Sequence, residues 1–122
     1  SKNMLLGANG QNIYPEEIED RLNSMALVNE SVVIQDGDKL VGLVHPDYDE
    51  AKSMGLSDKD LETIMEQNRN ELNQTQPAYC KLSAIIIHKE EFEKTPKKSI
   101  KRYLYQKYTR FSIKEIKAKI KQ

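Results

Sequence analysis

Residues 30–47 have the sequence ESVVIQDGDKLVGLVHPD, in which two runs rich in β-branched residues flank Asp36-Gly37-Asp38. Asp and Gly are residues that tight turns favour, so this stretch predicts a β-hairpin with strands at 31–35 and 39–45. Both runs are apolar enough to be central strands, and a third apolar run at 82–88 predicts a further core strand. These strands predict a small sheet that needs cover on both faces.

Two helices are predicted around this hairpin, at residues 15–25 and 57–73. Pro15 suits the first helical position of the earlier one, because the missing N–H costs nothing there. The later one begins with a capping box of Ser57 and Asp60, and an acidic loop is expected between Pro46 and this helix. Ahead of both, the glycines of residues 7–10 predict a tight hairpin.

The C-terminal third of the chain predicts a helix over residues 100–108 and a basic terminal helix within 109–122. Ser112 and Glu115 form a second potential capping box, and three isoleucines at helical spacing face one way while the lysines face the other. With the strands above, this order predicts one α+β domain over residues 1–122, with a small, mainly antiparallel sheet covered by helices.

Composition and charge narrow the class of protein. The chain has 122 residues, and its longest apolar run, 84–87, is far too short to span a bilayer, so the sequence predicts no transmembrane segment. The net charge of zero is divided unevenly. Residues 1–93 hold 8 Lys and Arg against 18 Asp and Glu, whereas residues 94–122 hold 11 against 1. Such a basic end attracts phosphate groups of any kind.

The cysteine and the two histidines are not spaced in the sequence as catalytic or metal-binding residues are. Cys80 is alone and has no adjacent base in the sequence, so it is expected to be a small apolar side chain rather than a nucleophile. His45 and His88 each lack a second ligand at metal spacing, so both are expected to be structural or solvated, and no metal site is predicted.

Two polar stretches are not explained by apolar periodicity. The first is GANGQNIYPEEIE at residues 7–19, which by itself predicts a hairpin that leads into a helix. The second is KTPKKSIKRYLYQKY at 94–108, whose lysines by themselves fit a solvated basic face.

Together these stretches resemble the C-terminal domain of the adenylate-forming enzymes, which include the acyl- and aryl-CoA synthetases, firefly luciferase and peptide-synthetase adenylation domains. SKNMLLGANGQNIYPEEIE at 1–19 is similar to the hinge and glycine-loop motif that opens that domain. TPKKSIKR at 95–102 is similar to the lysine signature near its end, and the resemblance covers about residues 2–108. It implies the α+β lid domain of that family, with the large N-terminal domain outside this sequence.

The resemblance also implies site residues and ligands. Lys101 falls on the position of the catalytic lysine of the adenylation step, Lys2 on the hinge position, and Gly10 on the glycine loop that lines the pantetheine tunnel. The full-length enzyme would use ATP, Mg²⁺ and coenzyme A, held mostly by the missing N-terminal domain, which would be the chain's main partner. A cytoplasmic location is expected, with peripheral contact to a membrane left open.

Among the branches of this family, the chain looks most like a long-chain fatty acyl-CoA synthetase, which implies a fatty acid substrate and CoA or acyl carrier protein as acceptor. This follows from the eight-residue spacing between Lys2 and Gly10 and from Ile100, where most relatives have glycine. Leu6 stands where several relatives carry a lysine used in the second half-reaction, so that role does not transfer to this chain.

Two other classes of function remain open at this point. A small nucleic-acid-binding module would use the basic C-terminal segment, in which aromatic rings are interleaved with cations; those rings are Tyr103, Tyr105, Tyr108 and Phe111. A partner-binding domain without chemistry of its own is the third reading. The family resemblance favours the enzyme, and no nucleic acid is expected as its partner.

Overall fold

The computed structural model of the chain describes residues 3–106 and 113–120. In these ranges the strands are β1 (Leu5–Leu6), β2 (Asn12–Ile13), β3 (Val28–Asp36), β4 (Lys39–Pro46) and β5 (Leu82–Ile87). The helices are α1 (Pro15–Asn23), α2 (Tyr48–Ser53), α3 (Asp58–Gln74), α4 (Tyr103–Gln106) and α5 (Ile113–Ile120), with a 3₁₀ turn at Ala78–Cys80. The α+β class predicted from the sequence is confirmed.

The main sheet has the strand order β3-β4-β5. β3 and β4 pair antiparallel around Gly37, whose φ is +64°, so the predicted hairpin is confirmed. β4 pairs with β5 in parallel, whereas β1 and β2 form a separate antiparallel pair. The prediction that both runs of the hairpin are central strands is half right, because β4 is central and β3 is an edge strand.

Helices cover both faces of this sheet. One face packs against α4 and α5 through a cluster of buried side chains, namely Val32, Ile34, Val41, Leu43, Ile86, Phe92, Tyr105 and Ile116. The opposite face packs against α1, α2 and α3 through two adjoining clusters, which include Ile18, Leu22, Val33, Leu40, Val44, Leu61 and Met65. The burial of both faces explains why the strands are apolar without alternation.

The capped helix α3 begins as the sequence predicts. The Ser57 hydroxyl accepts the Asp60 N–H at 3.1 Å, and the Asp60 carboxylate accepts the Ser57 N–H at 2.9 Å. Leu56 packs against the cluster that contains Leu61, so the chain enters the helix at a fixed angle.

Two local predictions are wrong. The expected acidic loop after Pro46 is the short helix α2, because the Asp47 carboxylate accepts the Glu50 N–H and caps it. The helix expected from residue 100 begins only at Tyr103, because Ile100 pairs with Lys94 in an isolated antiparallel bridge. Tyr108 and the predicted cap Ser112 lie outside the described residues, whereas Ile113, Ile116 and Ile120 of α5 do pack against the core.

Candidate active site

The lysine segment, residues 92–102, forms an irregular hairpin rather than the start of a helix. The Thr95 N–H donates to the Ser99 carbonyl and the Lys98 N–H to the Thr95 carbonyl, both at 2.8 Å. Pro96 occupies the second position of this turn, which its fixed φ favours. Lys98 has a φ of +68°, a left-handed conformation that such a hairpin places after a type I turn.

Lys101 follows this turn directly and is held by its backbone. Its N–H donates to the Glu93 carbonyl at 2.8 Å, and its carbonyl accepts the Leu104 N–H at 3.1 Å, which joins the lysine segment to α4. The side chain is partly buried, and no acceptor or carboxylate within residues 3–106 and 113–120 pairs with its ammonium. The domain fixes the backbone of Lys101, and the described residues give its ammonium no partner.

The next residue, Arg102, is paired with a buried carboxylate. Its Nη1 donates to Glu19 Oε2 at 2.7 Å and its Nη2 bonds Glu19 Oε1, so the contact is bidentate. Glu19 Oε2 also accepts the Val33 N–H at 2.7 Å, which satisfies the outer edge of β3. Burial raises the pKa of the Glu19 carboxyl, while the Arg102 guanidinium and the Val33 N–H oppose that shift.

A second carboxylate, Glu30 of β3, holds the other arm of the lysine segment. Its Oε2 pairs with Lys94 Nζ at 2.8 Å, and its Oε1 accepts the Phe92 N–H at 2.9 Å. Tyr105 supports the same arm, since its hydroxyl accepts the Glu93 N–H at 2.8 Å. Lys94 and Arg102 are therefore neutralised by carboxylates of the domain.

The glycine loop, residues 7–10, connects β1 to β2 just before α1. The Gly7 N–H donates to the Gln11 carbonyl at 2.8 Å, and the Gly10 N–H donates to the Gly7 carbonyl at 3.0 Å. Gly10 has a φ of +82°, and a Cβ built there would meet no atom within 4 Å. Within the domain, this position favours glycine because of its backbone conformation and not for lack of space. The space beside it is open to a ligand.

Helix α1 is the element common to both predicted site residues. Gly10 lies in the loop that precedes α1, and Lys101 is tied to α1 through the neighbouring Arg102–Glu19 pair. Lys2, the predicted hinge residue, lies outside the described residues. Leu6 is 60% exposed and brings no charge to the loop.

The remaining candidates agree with structural roles. Cys80 is partly buried, and burial, followed by the charge of Glu17, raises the pKa of its thiol, which disfavours the thiolate. His45 Nδ1 lies 3.1 Å from the His88 carbonyl, and His88 Nδ1 lies 2.7 Å from the Glu90 carbonyl. Within the described ranges, no group of three or more His, Cys, Asp or Glu side chains could hold a metal ion.

The aromatic residues of the basic segment do not form one stacking surface. Tyr105 is buried against Phe92 with the ring centroids 4.9 Å apart, whereas Tyr103 is 67% exposed. Tyr108 and Phe111 lie outside the described residues. One of the four rings on which the nucleic-acid-binding hypothesis depends is therefore buried in the core and cannot stack on a base.

Comparisons with known proteins define the class and then the family. Among solved structures, the fold is similar to the adenylation domain of a carboxylate reductase from Mycobacterium chelonae, with a TM-score of 0.74 and 15% identity over 98% of this chain and 20% of that one. It is also similar to a fatty acyl CoA synthetase from Mycobacterium tuberculosis, with a TM-score of 0.62 and 20% identity over 95% of this chain and 20% of that one. ATP-bound MatB from Rhodopseudomonas palustris gives a TM-score of 0.60 and 16% identity over 89% of this chain and 20% of that one.

The sequence itself matches the family described as AMP-binding enzyme C-terminal domain over residues 2–120. The chain belongs to this family and is the C-terminal domain of an AMP-binding enzyme. It spans about a fifth of the length of the solved structures to which it is similar. No significant match to a curated protein sequence was found. Within the described residues, no helix is both long and apolar enough to cross a membrane.

Proposed function

We propose that this chain is the mobile C-terminal domain of an ATP-dependent long-chain fatty acid–CoA ligase. In the first half-reaction, a carboxylate oxygen attacks the α-phosphorus of ATP and pyrophosphate leaves. In the second, the thiol sulfur of coenzyme A attacks the acyl carbon and AMP leaves. The observation that carries the proposal is Lys101, an unpaired ammonium among the described residues, on a backbone that the domain fixes.

Lys101 serves the first half-reaction. Attack on the α-phosphorus increases negative charge on phosphoryl oxygens, and a positioned ammonium stabilises that charge in the transition state. Lys94 and Arg102 are poorly suited to this role because Glu30 and Glu19 already neutralise them. Lys101 has no carboxylate partner among the described residues and is partly buried, whereas Lys97 and Lys98 are exposed at the turn.

Gly10 serves the second half-reaction. The domain turns about the hinge at Lys2, withdraws Lys101 and brings the glycine loop to the acyl-adenylate. Gly10 then lines the path of the pantetheine arm, where a backbone without Cβ allows close approach. Its φ of +82° and the open space beside it support this assignment.

The finer assignments rest on the sequence. Long-chain specificity is supported by the Lys2–Gly10 spacing and by Ile100, and the acyl tunnel is expected in the larger N-terminal domain. That domain would also hold Mg²⁺ and most contacts to ATP, since the described residues here offer no metal-binding cluster. CoA and acyl carrier protein both present phosphopantetheine, so either acceptor fits the glycine loop. A cytoplasmic enzyme is proposed.

The test of the proposal is Lys101→Ala in the full-length enzyme, with each half-reaction measured separately. Acyl-adenylate formation is expected to slow by about 100-fold or more, the effect of removing one preorganised donor. Thioester formation from supplied acyl-adenylate is expected to change by about twofold or less, because the rotation takes Lys101 away from the reacting atoms.

Lys97→Ala is the matched control. Lys97 is an exposed lysine four residues before Lys101, in the turn itself, so its removal subtracts the same net charge without touching the proposed catalytic group. Adenylation should keep its rate in this variant. Equal losses in both half-reactions for Lys101→Ala, or an equal loss in Lys97→Ala, would contradict the proposal.

A further inference from the structure

Lys101 needs a fixed position as well as a free charge, and the structure suggests what supplies it. A lysine side chain is long and flexible, so the location of its ammonium depends on how firmly its own backbone is held. One side of that backbone is held by the Glu93 carbonyl at 2.8 Å. The other side continues directly into Arg102, whose side chain is 17% exposed and reaches back to α1.

The contact between Arg102 and Glu19 is unusually well anchored for an ion pair. The Glu19 side chain is only 8% exposed, and two oxygens receive two guanidinium nitrogens, which fixes orientation as well as distance. The Glu19 carboxylate also accepts the Val33 N–H at 2.7 Å, so the ion pair is hydrogen-bonded to strand β3 as well. Arg102, the residue that directly follows Lys101, is therefore connected through Glu19 to both α1 and β3.

We infer that Arg102 and Glu19 are a positioning pair that sets the place of the Lys101 ammonium in the adenylation step. This inference rests on the proposed role of Lys101. The pair touches no reacting atom; it acts by fixing the backbone that carries the catalytic group. A displacement of about 1 Å in such a group can cost about 100-fold in rate, so a loosened lysine segment should slow the chemistry.

The glycine loop does not depend on this pair for its shape. It is held by the Gly7–Gln11 bond within the loop and by Gln35 Nε2, which donates to the Leu6 carbonyl at 2.7 Å. Loss of the Arg102–Glu19 contact should therefore affect adenylation and spare the thioester step.

The informative variant is the double substitution Arg102→Met with Glu19→Gln in the full-length enzyme. Removing one partner alone would leave an uncompensated buried charge, whereas removing both avoids that cost, and Gln can still accept the Val33 N–H. Adenylation kcat is expected to fall about 10- to 100-fold with little change in KM for ATP. Thioester formation from supplied acyl-adenylate should remain within about twofold of the parent, since the loop keeps its own bonds. Arg102→Lys, which keeps the charge but loses the bidentate geometry, should show an intermediate loss of adenylation kcat.

The decisive measurement introduces the same double substitution into the Lys101→Ala enzyme. If the pair acts through Lys101, no further loss of adenylation should appear there, whereas a general structural defect would add its full effect in both backgrounds. Lys94→Met is the control, because it breaks the comparable pair with Glu30 on the other arm of the lysine segment. Its effect on adenylation should be smaller and should persist when Lys101 is absent.

The outcomes separate this inference from the proposed function. Full additivity with Lys101→Ala, or equal loss in both half-reactions, would overturn the positioning role and leave the function of Lys101 intact. A Lys101→Ala enzyme with unimpaired adenylation would overturn the proposed function itself. Should the double variant unfold, as judged by its thermal midpoint, Arg102→Lys carries the same test, and normal adenylation by that variant would contradict the inference.

Discussion

At the scale of single residues, ion pairs distinguish Lys94 and Arg102 from Lys101, and burial distinguishes Lys101 from Lys97 and Lys98. The lysine segment has five cations, of which Lys94 and Arg102 are paired with largely buried carboxylates. Lys97 and Lys98 are exposed at the turn, whereas Lys101 is partly buried. Because a paired cation has already given up much of its capacity to stabilise an approaching phosphate, the pairing assigns roles within the segment. The pairing gives Lys94 and Arg102 structural roles, which is consistent with the role proposed for Lys101.

A substitution at Gly10 can separate the effect of backbone strain from the effect of blocking the pantetheine path. Gly10→Leu is expected to block the pantetheine path and slow the thioester half-reaction in the full-length enzyme, with adenylation nearly unchanged. Gly37→Leu is the matched control, because Gly37 also has a positive φ and open space around its missing Cβ, but lies in the β3–β4 turn. Separate rates for the two half-reactions, with thermal midpoints, provide the measurement.

Both substitutions should lower the thermal midpoint by a similar amount, since both force a side chain into the left-handed region. Only Gly10→Leu should slow thioester formation selectively. If Gly37→Leu slowed that step to the same degree, the effect would be one of folding, and the pantetheine assignment of Gly10 would be wrong.

The residues of the glycine loop and those of the lysine segment also differ in how much of their conformation could be predicted from the sequence. A left-handed turn at Gly10 could be predicted, because glycine is the residue that such a turn favours. The left-handed conformation of Lys98 could not, since nothing in a lysine signals it. The Arg102–Glu19 contact could not be predicted either, because the two residues are 83 positions apart and no local pattern links them.

At the scale of secondary structure elements, α3 offers a test of pH dependence. Hydrogen bonds from Ser57 lower the pKa of the Asp60 carboxyl, so folding stabilises its charged form. That contribution is fully present above about pH 4, the ordinary pKa of an aspartate, and is lost as the pH falls through the lower pKa of the folded state. Asp60→Asn should therefore be less stable than the parent near neutral pH, and the difference should shrink in acid.

Denaturant unfolding of the two proteins at a series of pH values measures this difference directly. Asp58→Asn serves for comparison, because Asp58 lies in the same first turn, and no side-chain hydrogen bond to it occurs within the described part of the chain. A pH dependence as large for Asp58→Asn as for Asp60→Asn would mean that the helix dipole, and not the capping box, is responsible.

Elements with strong local signals could be predicted, and the weak ones could not. The β3–β4 hairpin and α3 have turn and capping residues at the right offsets, and their centres agree with the structure. Helix α2 was missed because its six residues bury only Ala51, which is too short a pattern for helical periodicity to appear. The start of α4 was misplaced because the Lys94–Ile100 bridge is a tertiary contact that competes with the helix.

At the scale of the whole molecule, the fold brings together the two halves of an uneven charge distribution. The acidic first part of the chain supplies the sheet and the carboxylates Glu19 and Glu30, and the basic last part packs back onto them. Pairing uses only some of the positive charge, because Lys97 and Lys98 are exposed at the turn of the lysine segment. This arrangement suits a domain that docks against a phosphate-bearing site on another domain.

The isolated chain is expected to fold and yet to catalyse neither half-reaction. Its core covers both faces of the sheet, which supports independent folding, but the described residues contain no metal-binding cluster to accompany Lys101. Binding of ATP should accordingly be weak. Circular dichroism with thermal unfolding tests the first expectation and isothermal calorimetry the second; sub-micromolar ATP binding by this chain alone would argue against a division of the site between two domains.

The carboxylates of Glu19 and Glu30 have a consequence for the order in which parts of the domain form. Glu30 accepts from Phe92, 62 positions later, and Glu19 accepts from Arg102, 83 positions later, so both acceptors leave the ribosome well before their donors. Synthesis proceeds from the N-terminus at roughly 5–20 residues per second, which gives α1 and the β3–β4 hairpin several seconds to form first. The segment that carries Lys101 then docks onto a framework already formed. A nascent chain would therefore make α1 and the hairpin before the lysine segment that rests on them.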